Sequence, residues 1–139
     1  MNKIIIKGRP TMGGIAEGAA MVCPDSISGN SGGLGDLNGV VAERGNAAKG
    51  QSIKDKILVL PCSKGSTGFS AHCKSAQLMG MGPKGWILTK IDSRLGVAVA
   101  SLNIPAVSDF EEVDPVEIIK DGDWVKVNGN TGIIEITRK

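Results

Sequence analysis

The fold of this chain is decided by the stretch Leu58-Val59-Leu60-Pro61-Cys62-Ser63-Lys64-Gly65-Ser66-Thr67-Gly68-Phe69-Ser70. An apolar run ends at a proline, a loop of Gly, Ser and Thr with one lysine follows, and a helix-like segment comes after the loop. A turn of this kind leaves backbone N–H groups available at the start of a helix, where an anion can bind. The stretch therefore predicts a buried strand, a helix, and between them a site for a small acidic molecule.

Strands and helices alternate around this stretch. Residues 57–60 form a continuous apolar run, as in a strand that is buried on both faces. Turn residues at 128–132 separate two segments of alternating apolar and polar residues, which predicts a C-terminal β-hairpin. The predicted strands are 4–7, 14–23, 57–60, 85–89, an extended 104–107, 124–128 and 133–137, and the predicted helices are 70–79 and 93–102. This order predicts an α/β layered domain with some parallel strand pairing, in which residues 1–139 form a single domain.

The composition excludes several classes of protein. The chain is 41% hydrophobic but only 3% aromatic, so Ile, Val, Leu and Ala are expected to build the core. A net charge of +2, with charges of both signs interspersed, gives no electrostatic reason to expect nucleic-acid binding. No apolar run approaches the roughly 20 residues of a membrane span, and the N-terminus lacks the long apolar segment of a signal peptide. These features predict a cytoplasmic protein.

The cysteines do not form a recognisable metal or redox motif. The chain has three, Cys23, Cys62 and Cys73, at wide spacings and without a Cys-x-x-Cys pair. The simplest interpretation is that they are reduced and mostly buried thiols. The alternative concerns Cys62, which lies beside the loop and would line the predicted site.

Lys64 and Ser66 are the strongest candidates for chemistry. Both lie in a short loop between a buried strand and a helix start, where the flanking elements hold a loop firmly. Lys64 can pair with a carboxylate or a phosphate. A serine hydroxyl beside a cation and unpaired amides can act as a base or a nucleophile, because its alkoxide is stabilised there. The alternative for Ser66 is an ordinary helix N-cap.

Other polar residues have weaker claims. His72, the one histidine, has no carboxylate near it in sequence, so a structural or surface role is predicted. Residues 28–39 are rich in Gly, Ser and Asn and form either a functional or a disordered loop, in which Asp36 could face a substrate. The acidic run predicted to be a solvated face comprises Glu111, Glu112, Asp114 and Glu117.

Ordered motifs along nearly the whole chain resemble the small subunit, or swivel domain, of the aconitase X family. Their order and spacing are more specific than any one of them. They are Gly8-Arg9, Ala16-Glu17-Gly18-Ala19-Ala20, Pro24-x-Ser26, Leu58-Val59-Leu60-Pro61 with Lys64-Gly65-Ser66-Thr67-Gly68, Gly85-Trp86-Ile87-Leu88, Asn103-Ile104-Pro105-Ala106-Val107 and the final hairpin. The resemblance implies a swivelling β/α/β domain like that of aconitase, with a C-terminal β-hairpin.

The resemblance also implies an activity. The family comprises hydro-lyases that dehydrate small hydroxy acids such as cis-3-hydroxy-L-proline or (R)-5-phosphomevalonate. An iron–sulfur cluster is held by a separate larger subunit, so this chain is expected to supply no metal ligand and to be active only in the heteromer. Ser66 falls on the family's catalytic serine base, and the substrate-binding residues implied beside it are Ser63, Lys64, Gly65 and Thr67.

Two positions depart from the family pattern. Lys64 stands where the family has an arginine, which keeps the charge but loses the bidentate geometry of a guanidinium. Residues 26–36 lack the aromatic residues of the family motif Ser-Phe-Trp-Gly-Gly-Val-Asp, and this difference concerns the substrate more than the fold. Arg9 is expected either in the interface with the larger subunit or in the substrate pocket.

Two other functions stay open. Residues 98–107 and 119–127 are similar to the phosphohistidine swivel domain of phosphoenolpyruvate-using enzymes. The position of its phosphorylated histidine corresponds here to Arg94, which cannot carry a phosphoryl group, so the similarity favours a shared architecture over phosphotransfer. The remaining alternative is a non-catalytic swivel module that binds a small anion or regulates a partner.

Overall fold

The computed structural model describes residues 2–23, 51–62 and 69–138. Within these ranges the chain forms an eight-stranded sheet and three helices. The strands are β1 (Asn2–Lys7), β2 (Arg9–Met12), β3 (Ile15–Val22), β4 (Ile57–Leu60), β5 (Gly85–Leu88), β6 (Ala106–Ser108), β7 (Trp124–Asn128) and β8 (Ile133–Arg138). The helices are α1 (Phe69–Leu78), α2 (Ser93–Leu102) and α3 (Pro115–Ile118).

The sheet is mixed, and its two edges belong to consecutive strands. The strand order is β1-β8-β7-β3-β4-β5-β6-β2, in which β3, β4, β5 and β6 pair in parallel and the other pairs are antiparallel. Gly8 alone separates β1 from β2, so one extended segment joins the two edges of the sheet. The amide of Gly8 donates to the carbonyl of Gly132 (2.9 Å), which lies in the turn between β7 and β8. The predicted parallel pairing and the predicted hairpin are both confirmed.

Strand β4 lies between two hydrophobic clusters. All four of its side chains are fully buried, as the sequence predicted. Leu58 and Leu60 belong to a cluster that includes the buried faces of α1 and α2, whereas Ile57 and Val59 belong to a cluster formed mainly by strands, against which α3 also packs. Alternate side chains of a strand point to opposite faces, which explains this division. Ile, Val, Leu and Ala dominate both clusters as expected, although the first also contains Trp86.

The two long helices begin and end where their sequences predict. Helix α2 starts after Asp92, whose carboxylate accepts the amide of Leu95 (3.0 Å), and it ends at Asn103 in the left-handed conformation. Helix α1 ends just before Gly80, which has a φ of +78°. The helices thus begin and end where the backbone N–H and C=O groups of their terminal turns find hydrogen-bond partners nearby. Among the residues described, no helix has both the length and the apolar character required to cross a membrane.

Two short elements were not predicted. Strand β2 contains a proline and a bulge at its pairing with β6, so its sequence lacks regular alternation. Helix α3 begins at Pro115 and is capped by Asp114, whose carboxylate accepts the amide of Val116 (3.0 Å). The predicted solvated face is therefore right for Glu111, Glu112 and Glu117, which are exposed, and wrong for the partly buried Asp114.

Candidate functional site

The carboxyl ends of the parallel strands meet at one edge of the sheet. Leu60 of β4 pairs with Leu88 of β5, Leu88 pairs with Ser108 of β6, and Ser108 pairs with Arg9 of β2. These four residues form one row across four neighbouring strands. In parallel α/β sheets, ligands bind outside the carboxyl ends of the strands. The row therefore marks the edge at which a site is expected.

Backbone hydrogen bonds continue beyond the strands at this edge. The amide of Thr89 donates to the carbonyl of Leu60 (3.0 Å), and the amide of Lys90 donates to that of Pro61 (3.2 Å). On the other side, the amide of Asp109 donates to the carbonyl of Leu88 (3.2 Å). The segments that leave β4, β5 and β6 thus stay side by side for one or two further residues, which holds the start of each loop in place.

Arg9 and Asp109 form an ion pair at the end of the row. Arg9 Nε donates to Asp109 Oδ2 (2.8 Å), and Arg9 Nη2 donates to the same oxygen. The other oxygen of Asp109 accepts the amide of Ile91 (3.0 Å), in the loop that leads into α2. Asp109 has a φ of +54°, a left-handed conformation that Asp tolerates better than most residues. One carboxylate therefore links β2, β6 and the loop after β5.

Two hydroxyl contacts support the same edge. Ser108 is fully buried, and its Oγ lies 2.6 Å from Thr11 Oγ1. Thr89 Oγ1 donates to Asp114 Oδ1 (3.1 Å), the same oxygen that caps α3. Buried polar groups that find partners in this way fix the relative positions of the segments that carry them.

An open pocket of about 380 Å³ lies beside the ion pair. It is lined by Lys7, Gly8, Arg9, Asp109, Glu111 and Glu112. Arg9 was a candidate from the sequence, whereas Asp109 was not among the predicted site residues. The available signal was local: Asp109 follows directly after a buried extended segment at a strand's carboxyl end.

The predicted site residues Ser63, Lys64, Gly65, Ser66 and Thr67 lie outside the described residues, as does Asp36 with loop 28–39. The structure does describe the flanks of the predicted site loop, because β4 ends at Leu60 and α1 begins at Phe69. His72 and Arg94 are helical, but their side chains also lie outside the described part. The roles assigned to all these residues stay predictions.

The three cysteines have different environments. Cys23 and Cys73 are buried and Cys62 is exposed, so the prediction of mostly buried thiols is confirmed. Burial raises the pKa of the Cys73 thiol far above its usual range, which makes it unreactive. Cys62 stands directly before the predicted site loop. Over the described ranges, no group of three or more His, Cys, Asp or Glu side chains is arranged to hold a metal ion, so these residues do not fit an iron–sulfur cluster.

Comparisons with known proteins agree on one family. A family model described as the aconitase X swivel domain matches residues 5–136. A phosphomevalonate dehydratase small subunit from Methanocella arvoryzae is 39% identical over 132 residues, which cover 95% of this chain and 98% of that protein. The corresponding subunit from Methanosarcina acetivorans is 37% identical over 138 residues, covering 99% and 94%. The crystal structure of Thermococcus kodakaraensis aconitase X in its holo form superposes with a TM-score of 0.87 at 31% identity, covering 97% of this chain and 99% of that one.

Proposed function

The chain belongs to the aconitase X swivel-domain family and is a dehydratase subunit, and we propose that it is the small subunit of a phosphomevalonate dehydratase. The observation that carries the proposal is similarity over almost the full length of both chains to relatives that bear this name. The same relatives favour (R)-5-phosphomevalonate over cis-3-hydroxy-L-proline, which is the alternative substrate. Arg94, at the position of the phosphorylated histidine, argues against phosphotransfer.

The proposed enzyme is a heteromer. The relatives are named small subunits, which supports the existence of a larger partner subunit. The donor set of the described residues does not suit an iron–sulfur cluster, so we assign the cluster to that larger subunit. In this arrangement the chain supplies half of the active site, and the assembled enzyme works in the cytoplasm.

Ser66 is the proposed base. It would remove the proton from the carbon next to the substrate carboxylate; the electron pair of that C–H bond forms the carbon–carbon double bond, and the hydroxyl on the adjacent carbon leaves as water. Lys64 and the loop residues Ser63, Gly65 and Thr67 would bind an anionic end of the substrate. Support comes from the flanks of the loop. Strand β4 is buried along its whole length, and the carbonyls of Leu60 and Pro61 are bonded to the segment after β5. The point at which the chain leaves β4 is therefore fixed, which supports an active-site role for the residues that follow it.

The decisive experiment uses the complex of this chain with its larger subunit. Dehydration of (R)-5-phosphomevalonate by the wild-type complex is expected, with a loss of at least about 100-fold in kcat for Ser66→Ala, as is typical for removal of a general base. Ser75→Ala, in helix α1, removes a hydroxyl elsewhere and serves as the control. Turnover of Ser66→Ala within a few-fold of wild type would show that Ser66 is not the base. If the wild-type complex dehydrated cis-3-hydroxy-L-proline and not (R)-5-phosphomevalonate, the proposed substrate would be wrong.

A further inference from the structure

We propose that Arg9 binds one of the two anionic groups of the substrate and that Asp109 is the residue that positions it. The inference rests on the proposed function, because it assigns a second binding residue to the same reaction. A substrate with a carboxylate at one end and a phosphate at the other needs a cationic partner for each. Lys64 is the proposed partner of one, and Arg9 is the candidate for the other.

The first argument is the geometry of the guanidinium. An arginine has five N–H donors in a fixed plane. Arg9 directs Nε and Nη2 at a single oxygen of Asp109, which uses two of these donors. Among the described residues, the remaining donors have no hydrogen-bond acceptor, and more than half of the Arg9 side chain is exposed. The guanidinium is thus held on one side and open on the other, which is the arrangement that binds a carboxylate or phosphate in a bidentate manner.

The second argument is the position of Arg9 in the sheet. Arg9, Ser108, Leu88 and Leu60 lie in register in one row, with the β4 end of the row at the start of the Ser66 loop. Strands in a sheet are about 4.8 Å apart, so three steps separate the backbones of Arg9 and Leu60 by roughly 14 Å. An arginine side chain is long enough to reach into that interval. Arg9 therefore lies at the same edge of the sheet as the carboxyl end of β4, the strand that precedes Ser66 in the chain.

The third argument is the restraint on Asp109. Its two oxygens are both engaged, one by Arg9 and the other by the Ile91 amide, and its backbone takes a left-handed φ of +54°. Backbone strain of this kind is retained where the surrounding structure requires it. An Asp held from two elements can fix the direction of the guanidinium, which lowers the cost of ordering Arg9 when the anion binds.

The charges around Arg9 favour direct hydrogen bonding to the guanidinium over a general electrostatic attraction. The pocket beside Arg9 also contains Lys7, Glu111 and Glu112, so its carboxylates outnumber its cations. A general positive field therefore does not attract the anion to this place. Binding must come from hydrogen bonds to the guanidinium itself, and a matched loss of charge at Lys7 should have little effect.

The test is steady-state kinetics of the complex of this chain with its larger subunit. Arg9→Gln is expected to raise the KM for (R)-5-phosphomevalonate by about tenfold or more, as for loss of a charge-assisted hydrogen bond. Arg9→Lys should recover only part of this loss. Lys7→Gln removes the same charge from the same pocket and should change KM by less than about threefold. Inhibition constants for mevalonate, which lacks the phosphate, identify the group bound: an Arg9→Gln effect that disappears with mevalonate indicates the phosphate, and one that persists indicates the carboxylate.

The possible failures are distinguishable. A wild-type complex that does not dehydrate phosphomevalonate overturns the proposed function and this assignment with it. A normal wild-type complex with an unchanged KM in Arg9→Gln overturns the assignment alone. An equal rise in KM for Arg9→Gln and Lys7→Gln would show that the anion is attracted by general electrostatics and not by direct contact with Arg9. Loss of co-purification of the two subunits in Arg9→Gln would show instead that Arg9 is an interface residue.

Discussion

Arg9 Nε lies 2.8 Å from Asp109 Oδ2, although 100 positions separate the two residues in the chain. The contact exists because β2 pairs antiparallel with β6, which sets Arg9 opposite Ser108 and next to Asp109. It joins the edge strand of the sheet to the loop that enters α2, through the amide of Ile91. The ion pair is therefore a property of the sheet topology.

Asp109→Asn tests this relationship. Asn tolerates the left-handed backbone and keeps an acceptor for Ile91, but it loses the charge that holds Arg9. We expect the complex to show a KM for phosphomevalonate raised about threefold to tenfold with kcat within about twofold. Glu112→Gln, in the same pocket, is the control. A fall in kcat with an unchanged KM would contradict a positioning role for Asp109.

Lys64→Arg introduces the arginine that the family resemblance implies for this position. The charge is kept and bidentate bonding to the anion becomes possible. We expect kcat/KM of the complex to stay within about threefold of wild type, whereas Lys64→Gln should lower it by at least about tenfold. Equal activity of the two variants would show that Lys64 does not bind the substrate.

Asp123 and Arg138 make stability dependent on acid pH. Arg138 Nη2 donates to Asp123 Oδ2 (2.7 Å) and to the carbonyl of Ile118 (2.7 Å). The hydrogen bond from Arg138 lowers the pKa of the buried Asp123 in the folded state. Its stabilisation is therefore complete above the ordinary Asp pKa of about 4 and is lost as the pH falls through the lower, folded-state pKa.

Urea unfolding of Asp123→Asn measures this effect. The free energy of unfolding of the variant should be about 2 kcal/mol lower than that of wild type at pH 7. This difference should shrink as the pH falls from about 4 to about 2. Asp55→Asn is the control, because Asp55 is exposed and also has a positive φ that Asn accepts. A difference that stays constant with pH would show that the pair does not control acid stability.

Gly8 is expected to tolerate no side chain. A Cβ at this position would lie 2.8 Å from Val107 Cγ1 and 2.9 Å from the carbonyl oxygen of Ser108. Gly8→Ala should cost about 1–3 kcal/mol in the free energy of unfolding. Gly96→Ala, in helix α2 with open space around it, should instead stabilise by about 0.5–1 kcal/mol. Equal effects of the two substitutions in denaturant melts would contradict close approach at Gly8.

The three thiols should react at different rates. Cys62 is exposed, whereas Cys23 and Cys73 are buried. Titration of the native chain with a disulfide reagent should modify about one thiol per chain rapidly, and the other two thiols should react only after unfolding. Cys62→Ser should abolish the rapid phase. Rapid release that persists in Cys62→Ser would mean that a buried thiol becomes exposed by local opening.

Local patterns were enough to predict most of the fold. The apolar run of β4 and the alternation in β7 and β8 predicted strands because those patterns follow directly from which faces are buried. The predicted helix 93–102 matches α2, and in the structure Asp92 and Asn103 cap its two ends, because capping depends on residues next to the helix. The same local rules failed for β2, whose proline and bulge hide its pairing with β6.

The sequence by itself determined the buried strands and the two long helices, since each depends on residues close together in the chain, and it predicted a loop that carries Ser66 and Lys64. The tertiary structure alone decided that Arg9 stands beside Asp109, in the row that begins at Leu60. Composition and spacing contain no information on which distant strands pair. That choice depends on how the whole sheet closes through Gly8, where a tight approach brings the two edges together.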